Sequence, residues 1–274
     1  MADVFPCCLT IAGSDSGGNA GVQADLRAFH AYSLHGCTVF AALTAQNPHG
    51  VSGIHAIDAD FVAAQLDAVL GVYNIRALKT GMLSDPAAIE VIADRLARHG
   101  EIAKVIDPVM IATSGARLIS NAAAEVVKAR LLPLATLITP NLPEAEALCG
   151  YLSMSDAEQA REGSAARAHE LARKLFETYG CAALVKGGHG SGFSAVDVLF
   201  DGRESVEFSM PWVSNPVSTH GTGCSLAAAL ASELALGRDL KSAVHGAKAY
   251  VHAAIERSYL VGADCGVLGF APRT

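Results

Sequence analysis

Short apolar runs rich in β-branched residues alternate along this chain with longer amphipathic stretches of helical period. Such runs indicate strands buried on both faces, and the stretches between them indicate helices that cover a sheet. The pattern predicts repeated βα units and a largely parallel sheet, which is the α/β class. The predicted strands are Cys7–Ala12, Cys37–Thr44, Ala77–Thr80, Lys104–Asp107, Ala135–Thr139 and Ala182–Lys186.

The predicted helices begin at recognisable signals. Asp85-Pro86 and Asn141-Leu142-Pro143 each place a capping side chain ahead of a proline, as is typical of helix N-termini. A turn at Asp201-Gly202-Arg203 predicts an antiparallel hairpin over Val196–Met210 at the sheet edge. The predicted helices are Gly21–Ser33, Asp60–Val72, Pro86–Arg98, Ala122–Arg130, Pro143–Cys149, an Ala-rich helix that ends near Tyr179, Cys224–Leu236 and Leu240–Tyr259.

Composition narrows the class of protein. A chain of 274 residues, 51% hydrophobic and 17% charged, can bury a large core, and no linker divides it, so we expect one domain over residues 1–274. The net charge of −7 is spread along the chain, which argues against a nucleic-acid partner. The chain has no secretion-signal pattern and no apolar window long enough for a membrane span, so we expect a cytoplasmic protein.

Cysteine and histidine patterns argue against a disulfide framework and a zinc site. The seven cysteines are scattered and none forms a C-x-x-C pair, which favours a reducing compartment. The ten histidines have no metal-ligand spacing. Most of the cysteines are expected to be small core residues, and Cys224 is the exception because of its neighbours in the sequence.

The segment Ser218–Ser225 combines a glycine-rich turn with the start of an Ala-rich helix. Gly221, Thr222 and Gly223 are suited to direct successive N–H groups into one space at the positive helix end, where a phosphoryl group is stabilised. The alternative is an ordinary flexible loop before a core helix. Cys224, in the first helical turn, is expected to have a lowered pKa and to act as a base toward a hydroxyl group, unless it is a buried structural cysteine.

The glycine-rich loop Gly13–Gly21 follows the first strand but is neither a Walker A loop nor G-x-G-x-x-G. It is better suited to close over a small polar ligand than to hold a dinucleotide. Asp25 is either a partner of the helix dipole or an acceptor for an amino-substituted heterocycle. Gln46 offers a donor and an acceptor to a ring edge and Met82 an apolar wall, although each also fits an ordinary turn or core position.

Two acids lie at the ends of predicted strands: Asp107 is the last residue of one strand, and Glu144 lies just after a later one. One or two carboxylates, together with phosphate oxygens and water, suffice to hold Mg²⁺, whereas either acid alone fits a helix-terminal role. Lys186, followed by Gly187-Gly188-His189-Gly190, places an ammonium group where it can meet nucleotide phosphates, unless it is only an edge lysine.

Together these segments resemble a known family. The chain is similar to the hydroxymethylpyrimidine and hydroxymethylpyrimidine-phosphate kinases of thiamin biosynthesis, within the ribokinase-like superfamily. The matching segments run in family order over about residues 7–262 and are LTIAGSD, AGVQADL, ALTAQNPHGV, KTGML, DPVM, LITPNLPEAEAL, VKGGH and THGTGCSLAAALA.

The resemblance implies a ribokinase-like three-layer α/β/α sandwich with a mostly parallel central sheet, usually a homodimer. It also implies Mg²⁺-dependent transfer of phosphate from ATP to 4-amino-5-hydroxymethyl-2-methylpyrimidine and then to its monophosphate. Cys224 stands where many sugar kinases of the superfamily carry an aspartate base. By similarity, Asp25, Gln46, Met82 and Val109 surround the pyrimidine, Asp107 and Glu144 organise Mg²⁺, Lys186, Thr219 and Asn141 face ATP, and Gly221, Thr222 and Gly223 form the anion hole.

Two segments depart from the family pattern. The first loop usually reads G-S-D-P-S-G-G-A-G, whereas Ser16-Gly17-Gly18-Asn19 lacks the proline and has asparagine, which tolerates left-handed backbone, at a usual glycine. The C-terminal VGADCGVLGFAPRT lacks the usual G-x-G-P-V, so no role is transferred to it. A pyridoxal or pyridoxine kinase is the nearest alternative and a non-catalytic ligand sensor a more distant one; Gln46 with Asp25 favours the aminopyrimidine.

Overall fold

A computed structural model describes residues 5–110, 118–151, 165–187 and 194–270. Strands account for the centre of the molecule. They are β1 (Cys7–Gly13), β2 (His35–Asn47), β3 (Gly50–Ala56), β4 (Ile75–Thr80), β5 (Ala103–Ile106), β6 (Leu137–Ile138), β7 (Ala182–Val185), β8 (Ser194–Phe200), β9 (Ser205–Pro211), β10 (Tyr259–Leu260) and β11 (Gly266–Val267).

The first nine of these strands form one sheet in the order β3-β2-β1-β4-β5-β6-β7-β8-β9. Its six central strands, from β2 to β7 in that order, are parallel, whereas β3 and the β8–β9 hairpin are joined through antiparallel pairs. β10 and β11 form a separate antiparallel pair. The mostly parallel sheet and the edge hairpin predicted from the sequence are both confirmed.

Helices flank the sheet on both faces. Among the described residues they are α1 (Gly21–Ala31), α2 (Ala59–Leu70), α3 (Pro86–Leu96), α4 (Asn121–Val126), α5 (Leu142–Leu148), α6 (Ala165–Tyr179), α7 (Thr222–Ala235) and α8 (Leu240–Glu256). The predicted helix Ala122–Arg130 is not one regular helix, because α4 continues as a π-helical turn at Val127–Leu131 and a 3-10 turn at Leu132–Leu134.

Alternate strand residues enter two different cores. Leu9 and Leu78 pack with α2 to α6 on one face, whereas Cys8 and Ala77 pack with α1, α7 and α8 on the other. A strand buried on both faces must present apolar groups to both sides, which explains the uninterrupted apolar runs in the sequence. The arrangement confirms the three-layer α/β/α sandwich.

Two local features decide how the chain enters the candidate site. Asp85 accepts hydrogen bonds from the N–H groups of Ala87 and Ala88, and Asn141 forms a capping box with Glu144, so both predicted helix starts are confirmed.

β3 was not predicted, because most of its residues are exposed and it lacks an apolar period. No helix within the described part of the chain combines the length and apolar character needed to cross a bilayer.

Candidate active site

Most of the predicted site residues lie at or just beyond the carboxyl ends of neighbouring strands, so the strand order sets their order in space. The candidates for ring binding therefore lie toward β2, β1 and β4, and the acids and the lysine lie toward β5, β6 and β7. Along this edge the residues are Gln46 in β2, Gly13 in β1, Met82 after β4, Asp107 and Val109 after β5, Asn141 and Glu144 after β6, and Lys186 after β7.

Asp107 and Lys186 form an ion pair at the β5–β7 end of this edge, which borders the candidate crevice. Oδ1 of Asp107 accepts hydrogen bonds from Nζ of Lys186 at 3.0 Å and from Oγ1 of Thr139 at 2.9 Å. Burial alone lowers the pKa of Lys186, but Asp107 and Glu144 reverse this effect and raise it overall. The ammonium group is therefore charged and held at a fixed point, as phosphate binding requires.

Glu144 is buried beside this pair. Its Oε2 accepts the N–H of Asn141 at 2.8 Å, and its Oε1 accepts the N–H of Met110 at 3.3 Å. Burial raises the pKa of Glu144 to about 7, although Lys186 opposes the shift. The side chain of Asn141 accepts the N–H of Glu144 at 2.8 Å, so its side-chain oxygen serves as the helix cap.

The N-terminus of α7 faces the lysine. Gly221 precedes the helix with a left-handed φ of 87°, and the N–H of Thr222 donates to the carbonyl of Thr219 at 3.3 Å. Within the described ranges, the N–H groups of Gly223 and Cys224 have no hydrogen-bond acceptor. A Cβ atom at Gly223 would lie 3.6 Å from Nζ of Lys186. Two free N–H groups and an ammonium group therefore converge on one space, which an anion can fill.

Cys224 is partly exposed in the first turn of α7, and its thiol accepts a hydrogen bond from the N–H of Gly21. Burial raises the pKa of the thiol, the Lys79 ammonium opposes this, and the carboxylates of Asp25 and Asp107 add to the rise. The expected lowering of the Cys224 pKa by the helix end is therefore wrong, because desolvation and the two acids outweigh the favourable charges.

The candidate residues for ring binding lie around the first loop and the tip of the β2–β3 hairpin. Oγ of Ser16 donates to the carbonyl of Gln46 at 2.7 Å and accepts its N–H at 2.8 Å. The side-chain oxygen of Gln46 accepts Oγ1 of Thr44 at 3.3 Å. Met82 packs so closely that its Cε would lie 3.0 Å from a Cβ atom at Gly13. Gln46 and Met82, which are far apart in sequence, thus border the same loop.

Asp25 does not lie on the surface of the crevice, contrary to the expectation of direct contact with a pyrimidine. It is fully buried, and its two oxygens lie 2.9 and 2.8 Å from Nζ of Lys79. Oγ1 of Thr10 donates to the same carboxylate at 2.6 Å. Sequence reasoning missed Lys79, although a lysine inside the apolar strand run Ala77–Thr80 was a signal of a buried charge.

Asp15, another residue that sequence reasoning missed, organises the first loop. Its carboxylate accepts the N–H groups of Gly17, Asn19 and Ala20 at 2.8, 2.9 and 2.8 Å. Burial opposes ionisation, but these bonds and the nearby His220 lower the pKa of Asp15. Nε2 of His220, 3.7 Å from Oδ2 of Asp15, brings the α7 turn against this loop.

The conformation of the same loop shows how asparagine is accommodated at position 19, where the family pattern has glycine. The left-handed conformations fall on Gly18 and Gly21, with φ of 75° and 55°, so Asn19 does not need one. The carbonyl of Asn19 instead packs on Gly221, where a Cβ atom would approach it to 1.9 Å. The substitution of the family glycine by asparagine is therefore compatible with the loop conformation.

The carboxylates present fit a magnesium ion that takes most of its ligands from phosphate and water. Within the described ranges, no cluster of three or more His, Cys, Asp or Glu side chains is placed to bind a metal. Asp107 and Glu144 remain as the two acids beside Lys186, and Mg²⁺ in nucleotide sites uses one or two carboxylates plus phosphate oxygens and waters. Thr219 is exposed near this end, and Gly188, His189 and Gly190 lie outside the described residues.

Comparison with known proteins identifies the family of this chain. The family model described as phosphomethylpyrimidine kinase matches residues 15–269. A hydroxymethylpyrimidine/phosphomethylpyrimidine kinase of Rhizobium meliloti is 46% identical over 90% of this chain and 89% of that protein. The thiamine biosynthesis bifunctional protein ThiED of Geobacter sulfurreducens is 46% identical over 94% of this chain, which spans only 51% of that longer protein.

A solved structure extends the agreement to three dimensions. The pyridoxal kinase of Bacillus subtilis, solved as an ADP complex, superposes with a TM-score of 0.86 at 33% identity and covers 98% of both chains. Sequence and fold thus agree on a kinase. The chain belongs to the phosphomethylpyrimidine kinase family.

Proposed function

We propose that this protein uses ATP to phosphorylate 4-amino-5-hydroxymethyl-2-methylpyrimidine and then its monophosphate, giving the pyrophosphate used in thiamin biosynthesis. One observation carries the proposal: the Lys186 ammonium, held by Asp107, faces the free N–H groups of Gly223 and Cys224 at the start of α7. A positive backbone cradle beside a fixed cation is the arrangement that stabilises a phosphoryl group in transfer.

In the first phosphorylation, Cys224 is the base. Its sulfur takes the proton of the hydroxymethyl group while that oxygen forms a bond to the γ-phosphorus and the bond from phosphorus to the ADP oxygen breaks. Lys186 and the free N–H groups of Gly223 and Cys224 hold the charge on the transferred group, and Gly221 and Thr222 shape the turn that presents them. The raised pKa of Cys224 means that the thiolate fraction, and with it this step, increases with pH.

The second phosphorylation has a different acid–base requirement. A phosphate monoester has a second pKa of about 6, so its oxygens are already nucleophilic at neutral pH and need no base. The anion hole is still required, because the same γ-phosphoryl group is transferred. The two steps therefore share Lys186 and the α7 turn but differ in their need for Cys224.

Nucleotide and metal meet the same end of the crevice. We assign Asp107 and Glu144 to Mg²⁺, and Lys186, Thr219 and Asn141 to ATP. Magnesium, when bound, neutralises charge on the ATP phosphates. Burial of Glu144 keeps part of this acid protonated near neutral pH, so the arrival of a cation favours its ionised form. A cytoplasmic homodimer remains part of the proposal, as in the family.

Gln46, Met82 and Val109 are assigned to the pyrimidine ring. A second candidate activity is phosphorylation of pyridoxal, because the structurally similar Bacillus subtilis protein is a pyridoxal kinase at 33% identity. Pyridoxal also presents a hydroxymethyl group on a nitrogen heterocycle. The amide of Gln46 can both donate and accept, which favours an aminopyrimidine edge.

The test is a set of parallel ADP-release assays with the hydroxymethylpyrimidine, its monophosphate and pyridoxal. The proposal expects turnover of both pyrimidines and a kcat/KM for pyridoxal at least tenfold lower, the discrimination of about 1.4 kcal/mol expected from a mismatched polar edge. Gln46→Leu should bring the kcat/KM values for pyrimidine and pyridoxal closer together, whereas Gln65→Leu, whose amide bonds to the backbone of Phe40 in β2, should leave their ratio unchanged. Turnover of pyridoxal alone would replace the proposal with the second candidate.

A further inference from the structure

A buried ion pair lies beneath the start of α7, and the mechanism above does not use it. Lys79 and Asp25 both have fully buried side chains, joined at 2.8 and 2.9 Å, with Thr10 as a third partner at 2.6 Å. Burying two charges costs about as much free energy as their attraction returns, so such a pair adds little stability over apolar residues. Stability alone is therefore a poor explanation for its presence.

The pair lies on the sheet face that carries α7. Thr10 and Lys79 are register partners on β1 and β4. Cys8 and Ala77, two residues earlier on each strand, pack in the core formed with α1, α7 and α8. Since side chains two residues apart in a strand share a face, Thr10 and Lys79 point into this same layer. Lys79 is near the carboxyl end of its strand, directly below the crevice.

The thiol of Cys224 lies above this pair. It accepts the N–H of Gly21, the first residue of α1. Asp25 is four residues further along α1, which is one turn or about 6 Å of rise. A Cβ atom at Gly81 would come within 2.7 Å of Nζ of Lys79, so the ammonium group reaches the strand end where the crevice begins. The bond to Gly21 thus places the thiol at the N-terminus of the helix that carries Asp25.

Four charged groups face the thiol from the surrounding elements. Lys79 from β4 is the leading charge that lowers the pKa of Cys224, while burial, Asp25 from α1 and Asp107 from β5 raise it. In turn, Cys224 raises the pKa of Lys79 and of Lys186. Without Lys79, a Cys224 thiolate would face the two carboxylates with Lys186 as its only balancing cation among these groups.

We propose that Lys79, fixed by Asp25 and Thr10, is a positioning residue for phosphorylation of the hydroxymethyl group: its ammonium balances the negative charge of the Cys224 thiolate. This inference rests on the proposed function, because that function makes Cys224 the base. In the step, an S–H bond forms as the alcohol O–H bond breaks, and the alcohol oxygen bonds to phosphorus as ADP leaves. Lys79 keeps its protons and touches no substrate.

The test compares a charge-free variant with a matched control. Lys79→Gln combined with Asp25→Asn removes both charges and avoids one unpaired buried charge. Lys104→Met is the control, because Lys104 is also buried but bonds to the carbonyls of His99 and Ile102 at the amino end of β5. Alkylation of Cys224 by iodoacetamide, followed by peptide mass spectrometry across pH, measures the thiolate directly.

The double variant should move the alkylation midpoint upward by about one pH unit, since the loss of Lys79 outweighs the loss of Asp25. At neutral pH, the first phosphorylation should then fall about tenfold and recover at higher pH, while the second changes less than about twofold. Lys104→Met should move neither the midpoint nor the ratio of the two rates.

An unchanged midpoint in a folded double variant, or equal losses in both phosphorylations, would overturn the inference and leave the pair a structural role. Should the double variant fail to fold, Lys79→Met alone leaves a buried Asp25 carboxyl whose raised pKa keeps it neutral, and the midpoint must move upward; an unchanged or lower midpoint contradicts the inference. If the wild type phosphorylates neither pyrimidine, the proposed function fails, whereas the alkylation result still decides whether Lys79 controls the thiol.

Discussion

The geometry of the α7 turn predicts a large loss of activity for Gly221→Ala. Gly221 has φ of 87°, and a Cβ atom there would lie 1.9 Å from the carbonyl oxygen of Asn19. The left-handed conformation costs an alanine about 1–2 kcal/mol. To restore ordinary contact, the first loop and the α7 turn must separate by about 1.5 Å, which displaces the free N–H groups from the phosphoryl site.

The expected loss of rate follows from that displacement. A misplacement of about 1 Å in a catalytic group costs roughly a hundredfold in rate. Both phosphorylations should fall by about this factor or more, because both use the anion hole. The first phosphorylation should fall more than the second, since Cys224 moves with the same turn and only the first step needs it as a base.

Gly237→Ala is the control, because it introduces the same backbone strain without pushing a neighbouring segment away. Gly237 also has a left-handed φ, of 80°, but no atom lies within 4 Å of the Cβ position. The control should lose a similar 1–2 kcal/mol of stability, about 2–8 °C in Tm, and keep its activity. ADP-release assays and thermal unfolding of the two variants make the comparison. Comparable activities in the two variants would refute the assignment of Gly221 to the anion hole.

Three further predictions concern individual side chains. Cys224→Ala should slow the first phosphorylation at least about a hundredfold and the second less than about tenfold, measured as separate initial rates; equal losses contradict its role as base. Asp15→Asn should raise KM for the pyrimidine roughly tenfold by weakening charge-assisted bonds to the first loop, with kcat nearly unchanged; an unaltered KM refutes this. Folding raises the Glu144 pKa from 4.5 to about 7, so its stabilising contribution is complete below pH 4.5 and lost as pH rises toward 7. The unfolding free energy of metal-free Glu144→Gln should lack that decline, and a persisting decline of equal size would exclude Glu144 as its source.

The sequence predicted the architecture because both helices and central strands carry strong periodic signals. Asn141 and Glu144 illustrate how far local reasoning reaches: a capping side chain, a proline and an acid three residues after the cap predict the helix start and the direction of the acid. The rule that parallel strands gather their carboxyl ends then brings Asp107 and Lys186 to the same edge, although they are 79 residues apart in the chain.

The chemistry of individual groups depended on tertiary contacts that no local pattern contains. The Asp25–Lys79 pair joins residues 54 apart on a helix and a strand, so its formation could not be inferred from either segment. The pKa of Cys224 was predicted in the wrong direction because a helix N-terminus was the only influence visible in the sequence. β3 was missed for a different reason, since an exposed edge strand needs no apolar alternation.

The reciprocal bonds between Ser16 and the backbone of Gln46 have a mechanical consequence. With both the N–H and the carbonyl of Gln46 attached to one hydroxyl, the hairpin tip cannot shift without carrying the first loop along. That loop reaches Gly221 through the carbonyl of Asn19, so a continuous series of contacts joins the hairpin tip to the α7 turn. Under the proposed function the ring and the nucleotide bind at these two ends, and the two ligands should therefore bind with positive cooperativity.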